Sequence, residues 1–246
     1  MHSAELFISI FIIAALYSAV GHGGASGYLA VLALINVNPN MAVSTALLLN
    51  ILVSALALTS YMRAKHFSLQ LTGPFLLASV PCAFLGATLK ISNPFYHLLL
   101  GIVLLASATI MALPKSQSGI GQNLAPVKPT IAFIAGGILG LISGMVGVGG
   151  GIFLSPLMIL SRWATPKTTS ATAAAFILAN SLSGFGGRLV QGRLVILPFW
   201  PLLLAGILGG WLGSNYGARW ASNPVLCRLL ALVMAIAAIK MLSPGN

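Results

Sequence analysis

The residues best placed to do chemistry are two glycine clusters in apolar sequence, about 126 residues apart. One reads Val20-Gly21-His22-Gly23-Gly24-Ala25 and the other Val146-Gly147-Val148-Gly149-Gly150-Gly151. Glycine inside a helix costs about 1 kcal/mol relative to alanine, so each cluster predicts a break. A break at membrane depth leaves backbone N–H groups that lipid cannot satisfy, so it must face protein, water or a ligand. The half-helix that follows presents free N–H groups and the positive end of its dipole, which suits an anion. Gly21, Gly23, Gly24, Gly147, Gly149, Gly150 and Gly151 are therefore candidate substrate-binding positions. The competing reading is close helix packing, which glycine also serves in membranes.

Other side chains join the candidate site. His22 lies inside the first cluster, where it can donate to an anion, take up a proton, or bond a neighbouring carbonyl. Asn50 and Asn180 fall mid-segment in corresponding hydrophobic stretches, and either lines a cavity or bonds across helices. Thr172, with Thr45, Ser44 and Ser170, has a similar claim, although hydroxyls also bond their own helix. Arg63, Lys65, Arg188 and Arg193 read as topology anchors. Arg188, approached by Gly184, Gly186 and Gly187, is the candidate to face inward. His66 and His97 read as interfacial, and Cys82 and Cys227 as buried small hydrophobes. No HExxH motif, paired acids or Gly-x-Ser-x-Gly elbow occurs, so no catalytic residue, metal or cofactor is expected.

The elements that must position these residues follow from composition. Of 246 residues 58% are hydrophobic and only 5% charged, too few charges for a water-exposed surface. Spans of about 20 apolar residues cross a bilayer, and the segments read near 5–35, 40–62, 69–89, 95–113, 130–161, 167–187, 195–217 and 224–242. The expected fold is an all-α integral membrane protein of about eight hydrophobic segments. The N-terminus lacks the basic region of a signal peptide, so the first apolar run is expected to be retained. Two homologous halves, 1–113 and 130–246, flank a polar linker at 114–129. Pro39 pairs with Pro166, Thr45 with Thr172, Pro74-Phe75-Leu76-Leu77-Ala78 with Pro201-Leu202-Leu203-Leu204-Ala205, Leu85-Gly86 with Leu212-Gly213, and Ser92-Asn93-Pro94 with Ser222-Asn223-Pro224.

The first segment of each half, at about 31 residues and roughly 46 Å, overruns a core of about 30 Å. It is either a span followed by a half-helix, which makes the halves parallel, or a re-entrant hairpin, which makes them inverted. Basic residues split about 7 to 5 between the faces in the first case and about 8 to 4 in the second, and the inverted arrangement is preferred. Twelve Lys and Arg stand against a single acid, Glu5. That excess sets topology, attracts anions, or both. Scattered between apolar spans, the basic residues form no nucleic-acid footprint.

Together these motifs resemble the sulfite exporter TauE/SafE family of membrane permeases over nearly the whole chain. The most specific part is Gly147-Val148-Gly149-Gly150-Gly151 with Pro156 and Ala171-Thr172-Ala173, followed by Gln191-Gly192-Arg193-Leu194-Val195 and Gly206, Gly210 and Gly213. The first half departs from the pattern with Gly23-Gly24-Ala25, Ala30 opposite Pro156, and His22. The resemblance implies a secondary transporter for sulfite, an organosulfonate or a related small anion. The expected partners are that anion and the lipid bilayer of an inner or plasma membrane, with a homo-oligomer left open and nucleic acid excluded. A passive anion channel is the alternative.

Overall fold

The computed structural model describes residues 3–89, 101–102, 104–105, 107–109, 112, 124–196 and 200–242, and no strand occurs among them. The helices are α1 (Ser3–Ala19), α2 (Ala25–Leu34), α3 (Pro39–Arg63), α4 (Leu69–Thr88), α5 (Pro129–Val146), α6 (Gly151–Leu160), α7 (Pro166–Val190), α8 (Trp200–Asn215) and α9 (Asn223–Leu242). A π-helical turn, Tyr216–Trp220, prolongs α8. The expected segment 95–113 lies largely outside the described residues, as do His97, the linker through residue 123, and 197–199 of the seventh segment; the described residues between 101 and 112 are helical.

Among the described residues four helices, α3, α4, α5 and α7, are long and apolar enough to cross a bilayer. Large apolar side chains cover much of the outside, among them Leu77, Leu85, Phe133, Ile134, Ile138 and Trp211. In water such a surface would be a liability; in lipid it needs no cover.

Each expected first segment is broken, and each doubles back. In the first, the phenol of Tyr17 on α1 lies 2.9 Å from the Ser26 hydroxyl on α2. A Cβ on Gly27 would come within 2.6 Å of Ile13. An in-line continuation would hold Ile13 and Gly27 about 20 Å apart. In the second, Ala125 just before α5 donates its N–H to the Arg162 carbonyl just after α6, at 2.9 Å. Both are helical hairpins. Gly24 (φ 95°) and Gly150 (φ 74°) cap the returning helices in the left-handed region that penalises a Cβ.

At the centre α3 and α7 run antiparallel. Near one end Arg188 of α7 reaches Asn40 of α3; midway Asn50 meets Ser181; near the other end Tyr61 packs with Ala171. Both helices begin the same way, with a capping side chain and proline in the first turn. Asn38 Oδ1 accepts from the Asn40 N–H (3.0 Å) and Thr165 Oγ1 from the Thr168 N–H (3.3 Å).

Two glycine stripes seat the outer helices. Gly136, Gly140 and Gly144 of α5 press on the Phe75, Ser79 and Ala83 carbonyls of α4. Gly209, Gly213 and Gly217 press in the same way on the Phe11, Ala15 and Ala19 carbonyls of α1. Spaced every fourth residue, such stripes let helix backbones approach closely without a side chain between.

Candidate functional site

The two breaks meet between α3 and α7, and Asn50 joins them. Its Oδ1 accepts from the Ala25 N–H of the first hairpin at 3.2 Å. Its Nδ2 donates to Ser181 Oγ at 2.8 Å and to the Val148 carbonyl of the second hairpin at 3.5 Å. With its carboxamide so engaged and fully buried, Asn50 is a clamp in this conformation. Gly23 and Gly149 leave room for it, since a Cβ on either would collide with the Asn50 side chain. A second tie runs from His22 Nε2 to Ser155 Oγ on α6 at 2.8 Å.

Space opens on one side of this crossing. A cavity of about 90 Å³ lies between the end of α5, the ends of α4 and α7, and the first turns of α3. Its rim includes the exposed Leu89 and the partly exposed Arg188 and Arg193; its floor includes Ser143 and Asn180. Ser143 and Asn180 are each 2% exposed, and neither the Ser143 hydroxyl nor either polar atom of the Asn180 carboxamide has a hydrogen-bond partner. Buried polar groups ordinarily are paired, so three orphaned atoms facing one cavity mark a place for water or a polar ligand. A water needs only about 10–15 Å³ of such space, so the cavity has room for a small polyatomic ion.

The rim carries positive charge. Arg188 donates from a terminal guanidinium nitrogen to the Asn40 carbonyl and Oδ1, each at 3.2 Å, and from Nε to Ser44 Oγ at 3.4 Å. These bonds hold the guanidinium across the mouth, where Arg193 also lines the wall. No acid faces either arginine, because the chain's single acid is Glu5 at the start of α1.

The structure therefore divides the expected site residues. Gly147, Asn180 and Arg188 line the cavity. Gly149, Gly150 and Gly151 pack against Ile177, Ser181, Phe176 and Ser143, and Gly21 sits on the Ser170 carbonyl. His22, Gly23 and Gly24 line a separate cavity of about 10 Å³. Thr172 stands apart, its hydroxyl 3.1 Å from that of Thr72 on α4. Ser143, Ser155 and Ser181 were missing from the sequence reading. For two of them a signal existed: a small polar residue four before Gly147 and four after Gly151, one helical turn from each end of the break.

The likenesses to known proteins agree with this architecture. Residues 6–241 match the family model described as "Sulfite exporter TauE/SafE". A Sinorhizobium fredii protein named "Probable membrane transporter protein y4hK" is 34% identical over 241 residues, covering 96% of this chain and 97% of its own. The Bacillus subtilis protein "Probable membrane transporter protein YunE" is 24% identical over 235 residues, covering 85% and 83%. No solved structure matches the chain. A family match across almost the whole length, on a helical membrane fold with paired helical hairpins, has one meaning: this chain belongs to the sulfite exporter TauE/SafE family.

Proposed function

We propose that the protein is a secondary transporter for a small anion of the sulfite, organosulfonate or related class, working by alternating access. The observation that carries this reading is the cavity with unpartnered Asn180 and Ser143 at its floor and Arg188 and Arg193 at its rim. Such a site offers an oxyanion neutral donors at depth and fixed positive charge at the entrance. The family description supports the substrate class.

The halves are inverted repeats on this reading. Two re-entrant hairpins, an antiparallel α3–α7 pair, and left-handed residues at Asn36 and Arg162, Lys65 and Gly192, and Gly21 and Gly147 support it. The Arg63 face also carries Lys65, Arg162 and Lys167, against Arg188 and Arg193 opposite, so it is the cytoplasmic side of an inner or plasma membrane. The cavity then faces outward. Inward of it, α4 and α7 are tied by Thr72 and Thr172, and Gly21 is pressed on Ser170, which favours a carrier over an open channel.

The test is thermal stability of the purified protein in detergent with sulfite, sulfate, thiosulfate, sulfoacetate, taurine or small carboxylates, at ionic strength matched with chloride. Ligand at 100 times its Kd adds about 2.7 kcal/mol of apparent stability. A selective shift that Asn180→Leu abolishes in a folded protein is expected. A panel without any shift overturns the anion site.

A further inference from the structure

We propose that His22 couples anion movement to protons, being protonated when the anion is carried inward from the outer cavity and deprotonated when it is released. This rests on the anion reading above. His22 is 2% exposed, and its Nδ1 has no hydrogen-bond partner. It lines a cavity of about 10 Å³ with Gly23, Gly24 and Ser26 of the first hairpin and Val148 of the second. That volume is about one water.

The two cavities adjoin along the chain: Gly147 lines the outer one and the next residue, Val148, lines that of His22. An anion advancing past Gly147 enters the field of the imidazole. The titratable group lining this cavity with His22 is the phenol of Tyr17 on α1, and the ring of Tyr28 on α2 lies against Gly24 of the same lining. From α6 comes Ser155, and Val148, Ile152 and Ile177 close the remainder; no charged side chain lines the cavity.

An imidazolium alone there is costly, because the groups beside it, the Ser155 hydroxyl and the Gly151 backbone among them, carry no counter-charge. An anion beside it removes most of that cost. Protonation and anion binding therefore favour each other, by the same factor in each direction. Carboxylates usually hold a carrier's proton, but the one acid, Glu5, is exposed at the start of α1. His22 is the described residue at membrane depth whose ordinary titration falls near neutral pH. One proton binds Nδ1 from water on the entry side, travels with one anion, and leaves to water on the exit side.

The test uses the full-length protein in liposomes, with methanesulfonate and thiosulfate as probes because both stay ionised across neutral pH. Wild type is expected to show counterflow and to accumulate the monovalent probe up to about tenfold per unit of imposed pH gradient. His22→Gln, which keeps an amide near Ser155, is expected to show slower counterflow and no accumulation driven by the gradient. Gradient-driven accumulation by that variant, or counterflow without it in wild type, overturns proton coupling through His22. Absence of counterflow with either probe and with sulfite overturns the transport reading itself. If the variant inserts poorly, Ser155→Ala decides: stripping the Nε2 partner is expected to move the pH midpoint of wild-type exchange, and an unmoved midpoint overturns the assignment.

Discussion

A Cβ placed on Gly21 would run into the Ser170 carbonyl, whereas one placed on Gly147 would meet only the tip of Val43, at 3.0 Å. Both residues hold nearly the same φ, 75° and 74°. Their surroundings differ because the first break is packed into the start of α7, while the second borders the outer cavity. The same contrast continues outward. Tyr61, fully buried, fills one flank of the first break and donates to the Ala19 carbonyl at 2.6 Å. At the second break the flanking position belongs to Arg188, partly exposed and beside open space. One backbone plan thus supports a packed break and an open one, the asymmetry that the proposed alternating access requires in any single state.

The largest expected effect comes from cutting the link between the breaks. Asn50→Leu strips three hydrogen bonds that join both hairpins to α7. At about 0.6–1.7 kcal/mol each in a membrane protein, the loss is about 2–5 kcal/mol, read as a fall in the detergent unfolding midpoint. A midpoint within a degree of wild type would mean that the breaks hold together without Asn50.

Next comes the comparison itself. Gly147→Ala is expected to cost about 1–2 kcal/mol, the left-handed penalty alone. Gly21→Ala adds a backbone collision and is expected to exceed it by at least about 1 kcal/mol. Equal costs in paired unfolding measurements would break the contrast between a packed and an open break.

Thiol labelling sharpens it. In a background with Cys82 and Cys227 replaced, Ser143→Cys is expected to react at least about tenfold faster than Thr172→Cys with an impermeant reagent added from the Arg188 face. Similar rates would show that both sides open to the same degree.

The smallest effect concerns His66, in the turn after α3. Partial burial, then the nearby charge of Lys167, holds its pKa below the ordinary histidine value, against a backbone hydrogen bond involving Ala218. Below about pH 6.5 the unfolded chain takes up this proton more readily than the folded one, so stability falls as pH drops. His66→Gln is expected to flatten that slope slightly in unfolding midpoints taken between about pH 5 and 7; an unchanged slope would remove His66 as its source.

Composition and glycine spacing made the helical membrane fold and the two broken segments legible, because both follow from local rules. The choice between a straight half-helix and a hairpin was not local. It depends on contacts such as Ala125 with Arg162 that a linear pattern does not display. The same holds for Asn50 and Asn180: both read as mid-span amides, yet one is fully engaged and the other has no partner. Their difference lies in Ser181 and the Ala25 N–H, residues at 131 and 25 positions' remove. Arg188 lines the cavity, and the Asn40 and Ser44 contacts that hold it are long-range and left no periodic trace.

The glycine stripes have a consequence for how the chain is made. α1 rests on α8, yet about 180 residues separate the end of one from the start of the other, a delay of roughly 10–40 s at ordinary rates of synthesis. Through that interval the Phe11, Ala15 and Ala19 carbonyls await the glycine faces that will lie on them. α4 waits only about 40 residues for α5, a few seconds on the same scale. Assembly of these pairs therefore runs from the middle of the sequence outward: α1, made earliest of the described helices, is among the last of them to reach its final neighbour.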